Sequence, residues 1–149
     1  PHEIEQERIH KLCAGSENMV PFSRLSPNNT EPILWVDNVG MLGRLYHYAE
    51  LAYVGGGFDG TLHNTQEPAA YGNPVLFGPN PGTFIEAHDM LNMGTAKIVT
   101  TTAELHAALE TWLTDPPLLE QLRHQNRTYI QTMAGATEII LNHFITETE

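Results

Sequence analysis

As far as residue 99 the apolar residues fall in short runs separated by polar and glycine-rich stretches, and beyond it they take up helical spacing. Short apolar runs bounded by turn signals read as buried strands. They predict a weak strand at Met19–Phe22, a stronger one at Ile33–Val36, and further strands at Leu51–Val54, Pro74–Phe77 and Ala96–Val99. Helices fit between them: Glu3–Leu12, with glutamates near its start and Gly15 past its end, Met41–Ala49, a short one opening near Asn64, and Phe84–Met93. From Thr102 the chain reads as helical, with Ala103–Leu113, a stop at Asp115-Pro116, Pro117–Met133 and a last helix reaching Phe144. Leu105, Leu109, Trp112 and Leu113 form an apolar stripe on the first of these, the pattern of a core-facing helix. Alternating strands and helices predict an α/β fold. Its expected form is a parallel sheet covered on both faces, with ligands at the carboxyl ends of the strands.

Composition narrows the function classes. The chain has 149 residues and is 41% hydrophobic, which suits one globular domain with a real core. No repeat, linker or low-complexity tract divides it. Eighteen acidic against seven basic side chains give a formal charge of −11, which argues against a broad nucleic-acid or anionic-lipid surface. A single nucleotide needs only local positive potential. No apolar stretch reaches membrane-spanning length and no signal-peptide pattern opens the chain, so a soluble piece is expected. Cys13 is the lone cysteine, which excludes an intrachain disulfide and a cysteine-based zinc site and suits a reducing compartment. The eight histidines are scattered without ligand spacing, so no metal and no cofactor is expected.

Candidate chemistry concentrates between residues 55 and 79. Gly55, Gly56 and Gly57 follow the Leu51–Val54 run, where three glycines let backbone approach a ligand closely. Asn64 is placed as a helix N-cap, and Glu67 then lies in the first turn, where free amides and the helix dipole favour anions. Those amides would hold a phosphate, while the Glu67 carboxylate, acceptor-only when ionised, would take both hydroxyls of a ribose diol. Asn-x-x-Glu equally resembles a capping box that stabilises the helix and binds nothing. His63 is read either as a ligand or as a surface residue beside the turn.

Gly-Gly at a strand end, then His63-Asn64-x-x-Glu67-Pro68, then Gly72-x-Pro74-Val75-x-Phe77-Gly78-Pro79, resembles the 3-deoxy-D-manno-octulosonic acid (Kdo) transferases of lipopolysaccharide core synthesis. The likeness extends to Val36-Asp37-Asn38-Val39-Gly40-Met41-Leu42-Gly43-Arg44-Leu45-Tyr46, to Phe84-Ile85-Glu86-Ala87, and in all from Pro1 to about Phe144, over the family's carboxyl-terminal half. It implies a GT-B glycosyltransferase, a pair of facing Rossmann-like domains of which this chain, residues 1–149 with its helices from about 102, is the second, donor-gripping one. The donor would be CMP-Kdo. By position the resemblance marks His63, Asn64 and Glu67 as the donor-side motif, Gly40 and Met41 as a turn whose backbone faces the phosphate, and Gly78 and Pro79 as a loop lining the cleft.

The resemblance also implies what lies elsewhere: the catalytic base, the lipid A precursor site and the membrane-associating segment belong to an amino-terminal domain. No catalytic residue is therefore expected in this chain, and the parent protein would work at the cytoplasmic face of a bacterial inner membrane. Pro1-His2-Glu3 departs from the family's Pro-Arg-His, so charge compensation for the donor phosphate falls to amides, to another basic residue such as Arg44, or to the missing half. Arg44 alternatively lies on a solvated helix face. In the family, Pro-His ends a first strand at the sheet centre in the order 3-2-1-4-5-6. Without it, the expectation is that the gap closes directly or that a second chain pairs there, making a homo-oligomer. Two other readings stay open. One is the donor domain of a UDP-sugar GT-B transferase, since Glu-x-x-x-x-Gly-x-Pro-Val beside a glycine-rich turn recurs in that superfamily. The other is a non-catalytic nucleotide-binding or oligomerisation module.

Overall fold

The computed structural model describes residues 18–58 and 60–146, so the helix expected at Glu3–Leu12 and the Pro1-His2 departure lie outside the described residues. Five strands appear where the apolar runs predict them, each one residue shorter: β1 (Met19–Pro21), β2 (Ile33–Trp35), β3 (Ala52–Val54), β4 (Val75–Phe77) and β5 (Ala96–Ile98). All pairings among the described residues are parallel. The described residues divide into two compact units, one ending at Arg44 and one beginning at Leu45.

In the first unit β1 pairs with β2, Met19 opposite Ile33, and Val20 is buried. The Asp37 carboxylate accepts from the Ser23 amide at 3.0 Å and from its hydroxyl at 2.5 Å, which ties the turn after β2 to the one after β1. These bonds from Ser23 hold the Asp37 carboxyl below its ordinary range.

In the second unit the order is β3-β4-β5, with Val75 opposite both Ala52 and Ala96. All three β4 residues are fully buried, as a strand covered on both faces requires. On one face Val75 and Phe77 meet Leu62, Ala69, and Ala87 and Met90 of helix α3 (Ile85–Met93). On the other, Leu76 meets Ala108 and Trp112 of α4 (Thr102–Leu113) and Leu122 of α5 (Pro116–Met133). The predicted stripe is therefore core at Leu105, Leu109 and Trp112, whereas Leu113 is 48% exposed, because the fourth position has rotated past the buried arc. Pro116 opens α5 behind Asp115, whose carboxylate accepts from the Leu118 amide at 3.0 Å. A last helix, α6, covers Ala136–Thr146.

One expectation changes. The helix expected over Met41–Ala49 is an α-helix only at Leu42–Leu45 (α1) and continues as a 3₁₀ turn at Tyr46–Tyr48. The Tyr46 carbonyl accepts from the Ala49 amide at 3.2 Å and from the Asn73 side chain at 2.8 Å, a tertiary partner that competes with helix continuation.

Between α3 and α5, the Tyr129 hydroxyl donates to the Asp89 carboxylate at 2.8 Å. Burial first, and then Asp89, push the phenol up to about 12. The folded state thus favours the protonated phenol. Its contribution is complete below the ordinary value of 10.0 and is lost as pH climbs through about 12. A tyrosinate absorbance titration is expected to show a last-ionising tyrosine that Tyr129→Phe removes; a high-pH end of the titration that Tyr129→Phe leaves unchanged would contradict this.

Candidate functional site

The site grows from the carboxyl ends of β3 and β4. After Val54 the chain turns through Gly55–Gly57 and returns so that the His63 amide donates to the Gly55 carbonyl at 3.0 Å. The loop after β4 docks on this turn. The Asn80 amide donates to the Gly57 carbonyl at 2.8 Å and the Asn80 side chain to the Phe58 carbonyl at 3.0 Å. Gly57 and Gly78 face each other so closely that a Cβ on Gly57 would lie 2.9 Å from the Gly78 nitrogen, and one on Gly78 only 2.7 Å from the Gly57 carbonyl. At Gly56, with φ +88°, a Cβ would run into the Thr61 carbonyl oxygen. The glycines expected to admit a ligand thus serve first to let two loops pack backbone to backbone. Gly78 is buried in that contact, and Pro79 beside it is half-buried.

Helix α2 is a single short turn, Gln66–Ala70. Asn64 precedes it, and its side-chain oxygen accepts from the Gln66 amide at 2.8 Å and the Glu67 amide at 3.3 Å. Its amide donates to a Glu67 carboxylate oxygen at 3.2 Å. The capping arrangement therefore forms. It also corrects the phosphate expectation, because the first-turn amides proposed to hold an anion are already taken by Asn64. Glu67 remains exposed, and its second carboxylate oxygen has no hydrogen-bond partner among the described residues. His63 and Asn64 are exposed alongside it. Tyr46 is near enough that its phenol is raised, by burial first and then by the charge of Glu67.

Gly40 and Met41 lie in the first unit. Gly40 is exposed at φ +88° with nothing within 4 Å of an added Cβ, and the Met41 sulfur accepts from the Asn38 side chain at 2.8 Å. Arg44 is exposed and makes no ion pair among the described residues, as a solvated helix face would. The basic residues of the second unit are engaged: Arg123 with Glu50 at 3.0 Å, Arg127 with Glu120 at 2.7 Å, and Lys97 over the Trp112 ring at 5.0 Å. Among the described residues no three His, Cys, Asp or Glu side chains gather as a metal site. No described helix is long and apolar enough to cross a membrane.

Sequence reasoning missed the polar residues behind the motif. Asn73, fully buried, donates to the Tyr46 carbonyl, and Asn126, also fully buried, donates to the Asn73 carbonyl at 2.8 Å. The readable signal was Asn126 itself, a polar residue seven positions after Leu119 on the buried stripe of α5.

No protein-family model matches the chain. It is 31% identical over 138 residues to the probable mitochondrial 3-deoxy-D-manno-octulosonic acid transferase of Arabidopsis thaliana, a match covering 87% of this chain and 31% of the relative. Against the 3-deoxy-D-manno-octulosonic acid transferase of Chlamydophila psittaci the identity is 38% over 100 residues, 63% of this chain and 23% of the relative. The chain thus spans under a third of the length of these curated relatives. In fold it matches the crystal structure of the C-terminal CMP-Kdo binding domain of WaaA from Acinetobacter baumannii with a TM-score of 0.76 at 22% identity, over 88% of this chain and 71% of that one. Sequence relatives and fold agree: the chain is related to the Kdo transferases and carries the α/β Rossmann-like fold of a carboxyl-terminal domain from that family.

Proposed function

We propose that this chain is the donor-binding part of a Kdo transferase, a glycosyltransferase that takes CMP-Kdo as donor and a lipid A precursor as acceptor in lipopolysaccharide core synthesis. The observation that carries the reading is Glu67: an exposed carboxylate at the carboxyl end of a parallel sheet, oriented by Asn64 through one oxygen, with no hydrogen bond to the other among the described residues. Carboxyl strand ends are where open α/β sheets bind ligands. That the sequence relatives are Kdo transferases and the structural neighbour is a CMP-Kdo binding domain supports the same donor.

In this reading Glu67 holds the ribose, with His63 beside it, while Asn64 acts on the donor only by fixing Glu67. Phosphate contacts are assigned to the Gly40–Met41 turn, and Gly78 and Pro79 present backbone from the loop clasped to Gly57. The reaction is attack of an acceptor hydroxyl on the anomeric carbon of Kdo, with CMP leaving. This chain orients the donor and stabilises charge on the departing phosphate. The base and acceptor site come from an acceptor domain outside this chain, so this chain alone is expected to bind nucleotide weakly and transfer no sugar. The parent acts at the cytoplasmic face of the inner membrane, and a second chain pairing on the incomplete sheet is the proposed route to a homo-oligomer.

Glu67→Ala is expected to weaken CMP binding by about 1–3 kcal/mol, the worth of hydrogen bonds to a charged group. Glu67→Gln separates the two roles, since it keeps an oxygen for Asn64 but loses the charge and one acceptor. Calorimetry on both variants tests the assignment; affinities equal to wild type, with melting temperature unchanged, would leave Glu67 as a partner of the cap only.

A further inference from the structure

A buried asparagine on a helix remote in sequence bonds the turn that ends α2. Along α5 the residues turned into the core are Leu119, Leu122 and Asn126, so Asn126 occupies a position where the pattern calls for an apolar side chain. A fully buried amide there is costly unless bonded. Its Nδ2 donates at 2.8 Å to the carbonyl of Asn73, in the turn that ends α2. Asn73 is held on two further sides: its backbone amide donates to the Pro68 carbonyl at 3.0 Å and its side chain to the Tyr46 carbonyl at 2.8 Å. Gly72, at φ +87°, lets this turn close against α5, since a Cβ there would lie 2.9 Å from the Arg123 carbonyl and 2.7 Å from the Arg127 guanidinium.

Helix α2 is a single turn with Asn64 and Glu67 at one end and the Gly72-Asn73 turn at the other. So short a helix has little stiffness of its own. We propose that Asn126 is a positioning residue: through its bond to Asn73 it fixes the far end of α2 and thereby the direction of the Glu67 carboxylate. That the oriented carboxylate then meets a ribose rests on the donor-binding reading above.

Asn126→Leu removes the donor while keeping the branched four-atom shape of the side chain, and Asn126→Gln retains the donor. Amide hydrogen exchange and CMP titration are measured on wild type and both variants. In Asn126→Leu, exchange at Gln66, Glu67 and Asn73 is expected to rise about tenfold, the factor for losing roughly 1.4 kcal/mol of a buried hydrogen bond. Exchange at Leu76 and Phe77 in β4 stays at the wild-type rate, CMP affinity falls about fivefold or more, and Asn126→Gln restores both at least in part. Uniform acceleration across β4 and α2, or no change at α2, overturns the proposal. If Asn126→Leu does not fold, Asn126→Ser, which opens space without overpacking, is read by the same criteria. A wild-type chain that binds no CMP defeats the donor reading, while exchange at α2 still decides the positioning role.

Discussion

Gly56→Ala is expected to destabilise the chain by about 3 kcal/mol, the combined order of a left-handed backbone strained by a Cβ and of steric overpacking. The residue has φ +88°, and its added methyl would run into the Thr61 carbonyl, backbone that cannot swing aside as a side chain does. Two neighbours calibrate the claim. Gly40 has the same φ but nothing within 4 Å, so Gly40→Ala isolates the dihedral cost, about 1 kcal/mol. At Gly55 an added Cβ meets only the His63 ring at 3.5 Å, an ordinary contact, so Gly55→Ala should be close to neutral. Urea unfolding of the three variants orders them Gly56, Gly40, Gly55; equal losses at all three would mean that the loop moves freely and that the clasp between Gly57 and Gly78 does not hold.

Trp112→Ala carries the other large effect, a loss of about 3–5 kcal/mol for deleting a buried large aromatic. Trp112 is 1% exposed and packs with Leu76, Ala108, Val99 and Leu122, so its removal opens a cavity beneath the central strand. The Lys97 ammonium also loses the ring 5.0 Å beneath it. Leu113→Ala, one residue on and 48% exposed, should change stability by no more than about 0.5 kcal/mol. Thermal unfolding of the two variants side by side tests whether α4 buries the face described; similar losses would contradict it.

Those two sites show what was legible in the sequence. Trp112 could be placed in the core because helical periodicity reports which face is buried, although it blurs at the arc's edge, where Leu113 turned out. Strands were legible for the same reason: β4 is apolar at every position because both its faces are covered. The Asn64-to-Glu67 spacing was legible as chemistry, yet it fitted a cap and a ligand site equally, and only the geometry shows the cap consuming the Gln66 and Glu67 amides. What stayed hidden depends on contacts between residues far apart in the chain. The glycines after β3 signal close approach but not of what, and the answer is Gly78, a residue on the next crossover. The end of the helix after Met41 is set by Asn73, and the hold on Asn73 by Asn126, 53 residues further on; no local propensity records either bond.

Grip on the cytidine nucleotide of a sugar donor is the property proposed for this chain. The most direct measurement is an NMR titration of the isolated chain with CMP, with UMP and UDP in parallel. Weak binding that prefers CMP is expected, with shifts at Gly40 and Met41 and at residues 63–67. Equal or tighter binding of UDP, or no response of Glu67 to CMP, would contradict it.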